Sequence, residues 1–424
     1  MARLMLSLRR ALGLISPSAQ ARSIDANFSI FREGDRVVLH TKQPTLSKPL
    51  KRGEKIHLRR GYLEHDRIIG SRVRDAIPAH KGPEMRLSLP TLEEYVALTP
   101  RLVTPIYSHD GNLIVSLLDI HPNTPATDET QPPLEILESG TGHGSLTLHL
   151  ARAIHAANTT PPPQPPRSQI QYLEERTTRP GENPEKVDRK EPDGPAQQEW
   201  DGWRARRNAV IHTVDVSGTF SALAEKNVRG FRRGMYAGDV DFYVGRVEDW
   251  ITEQCKRRAS TGVLASLTGS RSPEPFLSHV ILDMPSAHAR IPHVAPIMRR
   301  DGILVVFMPS ITQIGDCVQL IRRLRLPFVQ ERVVELGIGL TSGRQWDVRL
   351  ATKKSGADPS SWVSSETETS EADDSASTDG PTLDFPVEEA KEEEPVMVCR
   401  PKVGLRTMGG GFVGIWRRIE DRQQ

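Results

Sequence analysis

The chain has 424 residues, of which 37% are hydrophobic and 33 are prolines, and its formal net charge is +2. This length allows two or three domains with packed cores, but the composition also predicts long segments that cannot pack. The small net charge excludes a uniformly basic nucleic-acid binder, the wide spacing of Cys255, Cys317 and Cys399 argues against structural zinc, and no apolar run approaches the roughly 18 residues of a membrane span.

Residues 1–23 are rich in arginine and leucine, and no acidic residue precedes Asp25. An amphipathic start that contains arginine and serine but no acid is typical of a mitochondrial presequence. We therefore expect residues 1–27 to be a targeting segment and the protein to act in the mitochondrial matrix. A disordered basic tail or an RNA-binding arm is the alternative interpretation of the segment, and the nucleus is the alternative location.

Residues 28–95 predict a small β-domain, because short apolar runs alternate with glycine-containing turns. Phe31–Leu39 predicts a turn that feeds a strand, and Lys55–Leu58 and Asp66–Gly70 predict further strands. The domain is basic, which would suit contact with a polyanion such as RNA, although most surface charge only interacts with solvent. Its basic residues include Lys48, Lys51, Arg52, Lys55, Arg59, Arg60, Arg67, Arg72 and Arg74.

From about residue 96 onward, strands alternate with helices, which is the pattern of an α/β protein with a parallel sheet. We predict a Rossmann-like, seven-stranded sheet in residues 96–354, closed by a strand within residues 396–424. The predicted strands are Leu134–Glu138, Val210–Asp215, Val240–Val244, His279–Asp283, Ile303–Met308, Pro327–Leu336 and Gly411–Arg417, with helices near residues 146–157, 219–229, 287–300 and 312–325.

Three polar segments interrupt this alternation. Residues 159–200 are rich in proline and charge, residues 258–275 in serine, glycine and proline, and residues 355–395 in acidic side chains. Such compositions do not bury a core, and long surface insertions add little entropic cost. We therefore predict three insertions into one domain, with residues 159–200 and 355–395 disordered.

A glycine-rich turn joins the first of these strands to the first helix. Gly140, Gly142 and Gly144 would let the backbone turn sharply and approach a ligand, and the helix start at Ser145 and Leu146 offers unpaired N–H groups. This arrangement is typical of a site for a nucleotide-like cofactor. A glycine-rich loop without a ligand is the alternative.

Two acidic residues narrow the choice of cofactor. The spacing Gly-x-Gly-x-Gly differs from the Gly-x-Gly-x-x-Gly of pyrophosphate binders. Glu138, directly before the turn, is badly placed for an anion but suits a cationic sulfonium or amino group. The next strand ends in Asp215, which could hydrogen-bond both hydroxyls of a ribose. These features favour S-adenosylmethionine over a dinucleotide.

A third acidic residue ends the fourth predicted strand, in the run Leu282-Asp283-Met284-Pro285. Because ligands lie beyond the carboxyl ends of the strands in open α/β sheets, Asp283 should lie on the same edge as the glycine turn. A carboxylate there can accept a hydrogen bond from an exocyclic amine and orient a base during methyl transfer. A capping aspartate at a strand–loop junction is the alternative.

Several segments, taken in their order along the chain, resemble the catalytic subunit of the tRNA (adenine(58)-N(1))-methyltransferases, in particular a mitochondrial, fungal-type member. The order of the motifs is more specific than any one of them, and the resemblance covers most of the chain outside the presequence and the insertions. The segments are Phe31–Asp35, His65–Gly70, Arg101–Asp110, Leu137–Thr147, Leu282–Pro285 and Phe307–Gln313.

The resemblance implies a Rossmann-like S-adenosylmethionine-dependent methyltransferase that methylates N1 of an adenine in the T-loop of tRNA, after extruding that base. It implies an oligomer, either a homotetramer or a hetero-oligomer with a non-catalytic paralogous subunit, and neither a metal site nor a membrane segment. Asp283 would be catalytic, Arg344 and Trp346 would face the RNA, and residues 409–412 would begin the closing strand. The predicted cofactor-binding residues are Tyr107, Glu138, Gly140, Thr141, Gly142, His143, Gly144, Ser145, Leu146, Asp215 and Glu248.

The sequence departs from the family pattern at a few positions. His143 replaces a frequent serine, Pro105 a usual glutamine, and Ala287 a common proline. Arg246 stands where an acid is expected, so recognition of the cofactor's adenine would move to Glu248 or to backbone. The alternatives left open are methylation of another RNA adenine, as in ribosomal RNA, and a non-catalytic RNA-binding subunit.

Overall fold

The computed structural model describes residues 24–41, 43–104, 106–123, 132–173, 194–261, 274–337, 346–353, 362–364, 396–401 and 410–420. They fall into two compact units, one comprising residues 1–338 with 408–424 and the other residues 339–407. Nearly all of the predicted presequence, and residues 355–395 apart from a three-residue strand, lie outside the described residues.

The N-terminal β-domain of the first unit consists of short strands, β1 Val38–Leu39, β2 Thr45–Leu46, β3 Lys55–His57, β4 Tyr62–Glu64, β5 Ala76–Ile77 and β6 Met85–Ser88. They form one sheet in the order β2-β1-β6-β5 and a separate hairpin of β3 and β4. The strand predicted over Asp66–Gly70 is wrong, because His65–Ile68 is a helical turn. Ile68 lies fully buried among Phe31, Leu63 and other apolar side chains of this domain, so tertiary packing overrides the β-favouring composition.

The remaining strands follow in chain order: β7 Leu134–Ser139, β8 Gln171–Tyr172, β9 Ala209–Asp215, β10 Val240–Val244, β11 Leu277–Leu282, β12 Met298–Met308, β13 Phe328–Leu336, β14 Trp346–Lys353, β15 Trp362–Ser364, β16 Val396–Pro401 and β17 Gly411–Arg418. In the first unit the described residues form an eight-stranded sheet in the order β13-β17-β12-β11-β7-β9-β10-β8. The strands from β12 to β8 in that order run parallel, whereas β17 and β13 run antiparallel. The second unit holds the antiparallel sheet β15-β14-β16.

Helices cover both faces of the large sheet. Ile136 and Ile211 pack with the helices that contain Leu148 and Val228 on one face, whereas Leu137 and Val280 pack with the helix of Trp250 on the other. The α-helices are His65–Ile68, Leu92–Leu98, Ser108–Leu117, Ser145–Ile154, Pro195–Arg204, Gly218–Gly230, Val247–Thr261, Ile291–Val294 and Ile311–Arg323, with 3-10 turns at His155–Ala157, Phe231–Gly234, Ala237–Asp239, Ala287–Arg290 and Ala295–Ile297. The predicted Rossmann-like fold with a small N-terminal β-domain is thus confirmed.

Part of the predicted disordered insertion 159–200 is wrong. Residues 171–172 form β8, which adds an eighth strand beside β10, and Pro195–Arg204 is a helix. Trp200 and Trp203 are buried, and Arg204 Nη2 lies 2.8 Å from the buried Asp241 carboxylate. The two tryptophans and this ion pair hold a segment whose composition alone predicts solvation.

Two further elements differ from the sequence predictions. The helix Val247–Thr261 was not predicted, and it extends into residues 258–275, which were expected to form a loop. The helix predicted over residues 287–300 is a series of short turns, because Pro292 and Pro296 interrupt its hydrogen bonding. Strand β12 accordingly begins at Met298.

Candidate active site

A cavity of about 350 Å³ lies at the carboxyl ends of β7, β9 and β11. This is the edge at which open α/β sheets bind ligands. The structure brings most of the predicted site residues to its wall, namely Glu138, Gly140, Thr141, Gly142, His143, Ser145, Leu146, Asp215 and Asp283.

The glycine turn fits against the end of the neighbouring strand. Gly140 has a φ of 103°, and a Cβ placed on it would lie 1.9 Å from the carbonyl oxygen of Asp283. The Gly140 N–H donates to the Val214 carbonyl at 2.9 Å, and the Asp283 N–H donates to the Ser139 carbonyl at 2.8 Å. No other residue could occupy position 140 without moving the backbone that carries Asp283.

Gly144 lies behind the cavity and caps the next helix. It has a φ of 85° and precedes Ser145 at the N-terminus of Ser145–Ile154. A Cβ there would lie 3.3 Å from the Cβ of Ala224 in the helix Gly218–Gly230. Gly144 therefore sets the close packing of two helices against the turn and does not line the cavity wall.

Glu138 is fully enclosed at the end of β7. Its Oε2 accepts hydrogen bonds from Thr147 Oγ1 at 2.6 Å and from Thr213 Oγ1 at 2.7 Å. Burial, together with the nearby charges of Asp283 and Asp215, nevertheless raises the pKa of Glu138 to about 8, against the opposite effect of the two hydroxyl groups. A cation in the cavity would therefore favour ionisation of this carboxyl group.

Asp215 and Asp283 complete the acidic wall. Asp215 accepts hydrogen bonds from the amides of Ser217 at 2.8 Å and Gly142 at 3.3 Å. Burial, and secondarily the charge of Asp215, raise the pKa of Asp283 to about 7. The cavity thus concentrates three carboxyl groups whose mutual repulsion a positively charged ligand would relieve.

His143 lies at the wall but is largely enclosed. Its carbonyl oxygen accepts a hydrogen bond from Asn227 Nδ2 at 2.9 Å, and its Nε2 has no partner among the residues that the structure describes. Burial lowers the pKa of His143. The imidazole is therefore neutral near pH 7 and adds no charge to the acidic cavity.

Other predicted residues lie elsewhere. Tyr107 precedes the helix Ser108–Leu117 and stacks on His109 with ring centroids 6.1 Å apart, outside the cavity lining. Glu248 also lies outside that lining, because its Oε1 lies 3.1 Å from Arg290 Nε and 3.4 Å from Arg246 Nη2. Its predicted contact with the cofactor's adenine therefore does not follow from the structure.

The predicted RNA-facing residues are not tested by the geometry. Arg344 lies outside the described residues, and Trp346 begins β14 in the second unit. Across the ranges that the structure describes, no group of three or more histidine, cysteine or acidic side chains could hold a metal ion. No helix in those ranges is long and apolar enough to cross a bilayer.

Several functional residues were missed by the sequence analysis. Val103, Thr104 and Ile106 line the cavity. The sequence predictions used the segment Arg101–Asp110 that contains them only as evidence of the family resemblance. Thr213 was overlooked as a partner of Glu138. The available signal was a hydroxyl group in the buried strand β9, two positions before Asp215. Residues two apart lie on the same side of a strand, so Thr213 could be expected near the site.

Comparisons with known proteins agree with this architecture. Residues 30–72 match the family model described as TrmI-like N-terminal. The chain is 26% identical to the tRNA (adenine(58)-N(1))-methyltransferase TrmI of Thermus thermophilus over 301 residues. The matched region is 71% of this chain and 82% of that protein. It is 31% identical over 125 residues, or 29% of this chain and 34% of the relative, to the tRNA (adenine(58)-N(1))-methyltransferase catalytic subunit TRM61 of Candida albicans.

A solved structure is similar over nearly the whole chain. It is a SAM-dependent O-methyltransferase from Thermotoga maritima, with a TM-score of 0.53, 13% sequence identity, and coverage of 93% of this chain and 97% of that one. At this identity the likeness concerns the fold alone. The named relatives support the predicted enzyme class, a methyltransferase that uses S-adenosylmethionine, and the solved structure supports the Rossmann-like fold; by sequence the chain is similar to the TrmI-like tRNA methyltransferases.

Proposed function

We propose that this protein methylates N1 of an adenine in the T-loop of tRNA, the adenine-58 position, with S-adenosylmethionine as the methyl donor. The observation that carries the proposal is the position of Asp283, which directly follows β11 at the cavity wall with its backbone packed against Gly140. The similarity to enzymes named for this reaction supports the choice of substrate.

The cavity fits the cofactor in charge and in shape. Glu138 would balance the positive charge, the Asp215 carboxylate would meet the ribose hydroxyls, and the glycine turn would leave room for close backbone contact. The bound cofactor supplies a methyl group on a positively charged sulfur, which makes that methyl carbon electrophilic.

Asp283 would act on the acceptor base. In its ionised form it accepts a hydrogen bond from the exocyclic amine of adenine, which orients N1 and increases the electron density on the ring. N1 of neutral adenine carries no proton, so no base is needed before the lone pair attacks, and positioning dominates. The methylated ring is cationic, and the nearby carboxylates stabilise that charge as it develops.

RNA would also contact the N-terminal β-domain. A second, larger cavity of about 1010 Å³ lies in that domain and is lined by Lys48, Lys55, Arg59 and His57, with Glu54 as an acidic residue. We call it the basic groove. Lys55 also lies over the ring of Tyr62, 3.9 Å from the centroid. Clustered lysine and arginine side chains of this kind suit a phosphate backbone.

An assay with purified protein, unmodified tRNA transcript and labelled cofactor tests the proposal. We expect N1-methyladenosine at one T-loop position, identified by mass spectrometry and by a reverse-transcription stop. Asp283→Ala should lower kcat by about 10²–10³-fold while binding S-adenosylhomocysteine like the wild type. Full activity of Asp283→Ala would refute the assigned role. Transfer to ribosomal RNA or to adenine N6 would refute the substrate, and cofactor binding without any transfer would favour a non-catalytic subunit.

We also propose a mitochondrial location and an oligomeric assembly. The arginine-rich, acid-free start in residues 1–23 supports the location, and the name of the Candida albicans relative, a catalytic subunit, supports an assembly. A fluorescent fusion of the whole chain should enter mitochondria, and one that lacks residues 1–23 should not. Native mass spectrometry should give a tetramer of one or two chain types, and a monomer would contradict it.

A further inference from the structure

Two successive arginines follow the helix Gly218–Gly230 in an unfavourable backbone conformation. Arg232 has a φ of 43° and Arg233 a φ of 57°, both in the left-handed region that side chains other than glycine rarely adopt. Such conformations persist only where the surrounding structure holds them, and they mark positions with a specific task. The contacts of the Arg233 side chain show what holds it.

Arg233 binds a buried aspartate of the N-terminal β-domain. Its Nε and Nη2 donate to the two carboxylate oxygens of Asp35, each at 2.8 Å. Asp35 is only 4% exposed, and it also accepts a hydrogen bond from the Arg32 amide at 2.7 Å. A bidentate pair of this kind has both strength and a defined direction. Asp35 is the last residue of the family-like segment Phe31–Asp35, none of whose residues lines the cofactor cavity.

The remaining donors of the same guanidinium bind backbone of that domain and of the residues that directly precede it. Nη1 donates to the carbonyl oxygens of Asp25 at 2.8 Å and Asn27 at 3.1 Å, and Nη2 donates to the Ile30 carbonyl at 2.9 Å. The guanidinium carbon also lies 5.2 Å from the ring centroid of Phe28. One side chain therefore fixes residues 25–35 to the end of the helix Gly218–Gly230. We call this set of contacts the Arg233 clasp.

The same helix also forms part of the cofactor cavity. Its N-cap is Ser217, whose amide donates to Asp215, and Phe220 in its first turn lines the cavity. Farther along, Asn227 donates to the His143 carbonyl. The helix has 13 residues, or about 20 Å at 1.5 Å per residue. It joins the cavity wall at one end to the N-terminal β-domain at the other.

We infer that Arg233 is a positioning residue that holds the basic groove in a fixed orientation relative to Asp283. RNA whose backbone lies in the groove then presents its extruded base to the cavity in the reactive geometry. A residue that only stabilises the fold would affect cofactor binding and RNA binding alike. The clasp contacts described above bind residues 25–35 and not the cofactor cavity, so their loss should affect RNA alone. This inference rests on the proposed function, since it assumes an RNA substrate.

The test compares Arg233→Ala, Arg233→Lys and wild type on full-length tRNA transcript. Arg233→Ala should lower kcat/KM for tRNA by about a hundredfold, the scale that a misplacement of about 1 Å can produce, while the Kd for S-adenosylhomocysteine changes less than twofold. Arg233→Lys keeps the charge but cannot bind Asp35 and three carbonyls at once, so it should remain severely impaired. Arg206→Ala removes an exposed arginine that donates to the Gly202 carbonyl and should behave like wild type.

Three outcomes would overturn the inference. The first is a kcat/KM for tRNA within threefold of the wild-type value in Arg233→Ala. The second is a parallel loss of S-adenosylhomocysteine binding in the same variant. The third is wild-type activity in Arg233→Lys, which would show that only the positive charge of Arg233 matters. Failure of the proposed function is distinguishable, because the wild-type chain would then methylate no tRNA in the same assay.

Discussion

Gly140 and Asp283 lie so close that a single added carbon at Gly140 would be 1.9 Å from the Asp283 carbonyl oxygen. The two residues are far apart in the chain, yet the Asp283 N–H donates to the carbonyl oxygen of Ser139, the residue before Gly140, at 2.8 Å, while the Gly140 N–H donates to Val214 of the adjacent strand β9. The turn that would hold the cofactor and the strand end that would hold the acceptor base are therefore one rigid unit, and a change that moves the backbone of either should disturb both.

Gly140→Ala should impair binding of S-adenosylhomocysteine as well as methyl transfer. Overpacking of this kind costs about 1–3 kcal/mol, which corresponds to roughly a 5- to 150-fold loss of affinity if it is expressed in binding. Calorimetry would measure the change. Gly315→Ala is the matched control, because Gly315 lies within the helix Ile311–Arg323 with open space around it. It should leave binding unchanged and raise stability slightly. Wild-type affinity in Gly140→Ala would contradict the rigid-unit interpretation.

The preference for S-adenosylmethionine over S-adenosylhomocysteine should increase with pH. The pKa values of Asp283 and Glu138 are raised to about 7 and about 8, so both groups lose their protons as the pH rises from 6 to 9. Only the methylated cofactor carries the sulfonium charge, and it alone gains from the extra negative charge. The ratio of the two dissociation constants, measured by calorimetry at pH 6 and pH 8.5, should favour the methyl donor more strongly at the higher pH. A ratio that does not depend on pH would contradict the raised pKa values.

Asp283→Asn should stabilise the fold at neutral and alkaline pH. The folded-state pKa of Asp283, about 7, lies above its unfolded value of 3.8, so the wild-type protein loses stability as the pH rises between these values and gains none back above them. The variant lacks this loss. Its melting temperature should equal that of the wild type near pH 4 and exceed it at pH 8, by about 2–4 °C for each kcal/mol gained. Equal melting temperatures at both pH values would show that ionised Asp283 costs the fold nothing.

Asp241→Ala should destabilise the fold strongly. The carboxylate is buried in β10 and lies 2.8 Å from both Arg207 Nη2 and Arg204 Nη2, and these two arginines hold its pKa well below the usual range. Removing it takes the carboxylate away from the buried Arg207 and leaves Arg204 only its pair with Asp201, which costs about 3–5 kcal/mol. Denaturant unfolding would measure the change.

The pH dependence of this pair gives a second check. Because the folded pKa of Asp241 lies below its unfolded value, its contribution to stability is present above about pH 4 and is lost as the pH falls below it. The difference in unfolding free energy between Asp241→Ala and wild type should therefore shrink in acid. If Asp241→Ala lowered the free energy of unfolding by less than about 1 kcal/mol at pH 7, Asp241 would contribute no more than a weak surface ion pair. That result would contradict a stabilising role of this ion pair for the helix Pro195–Arg204.

The cofactor-binding half of the site was predictable because its information is local. The glycine spacing and the acids at the ends of β7, β9 and β11 lie within short strand–turn units, and the topology of parallel sheets brings such ends together. Glu248 shows what a local pattern leaves out. Its position after β10 fits the pattern, but its carboxylate lies 3.1 Å from Arg290, a residue distant in sequence, and outside the cavity lining.

The insertion before β9 shows a second limit. The proline and charge content of residues 159–200 predicted disorder. Composition does not show which residues will be in contact, so it could not predict that Asp241 of β10 accepts hydrogen bonds from Arg204 and Arg207. Buried charge is stabilised only by specific partners, and those partners are chosen by the fold.

The sequence by itself determined the class of fold, the edge of the sheet at which the cavity lies, and the acids Glu138, Asp215 and Asp283 on its wall, because strand ends and glycine turns have fixed geometric consequences. Only the tertiary structure decided that Gly140 supports Asp283, that Thr213 and Thr147 bind Glu138, and that Arg233 binds Asp35. These pairs are contacts between residues distant in the chain, and their distances depend on how the elements pack and not on any local pattern.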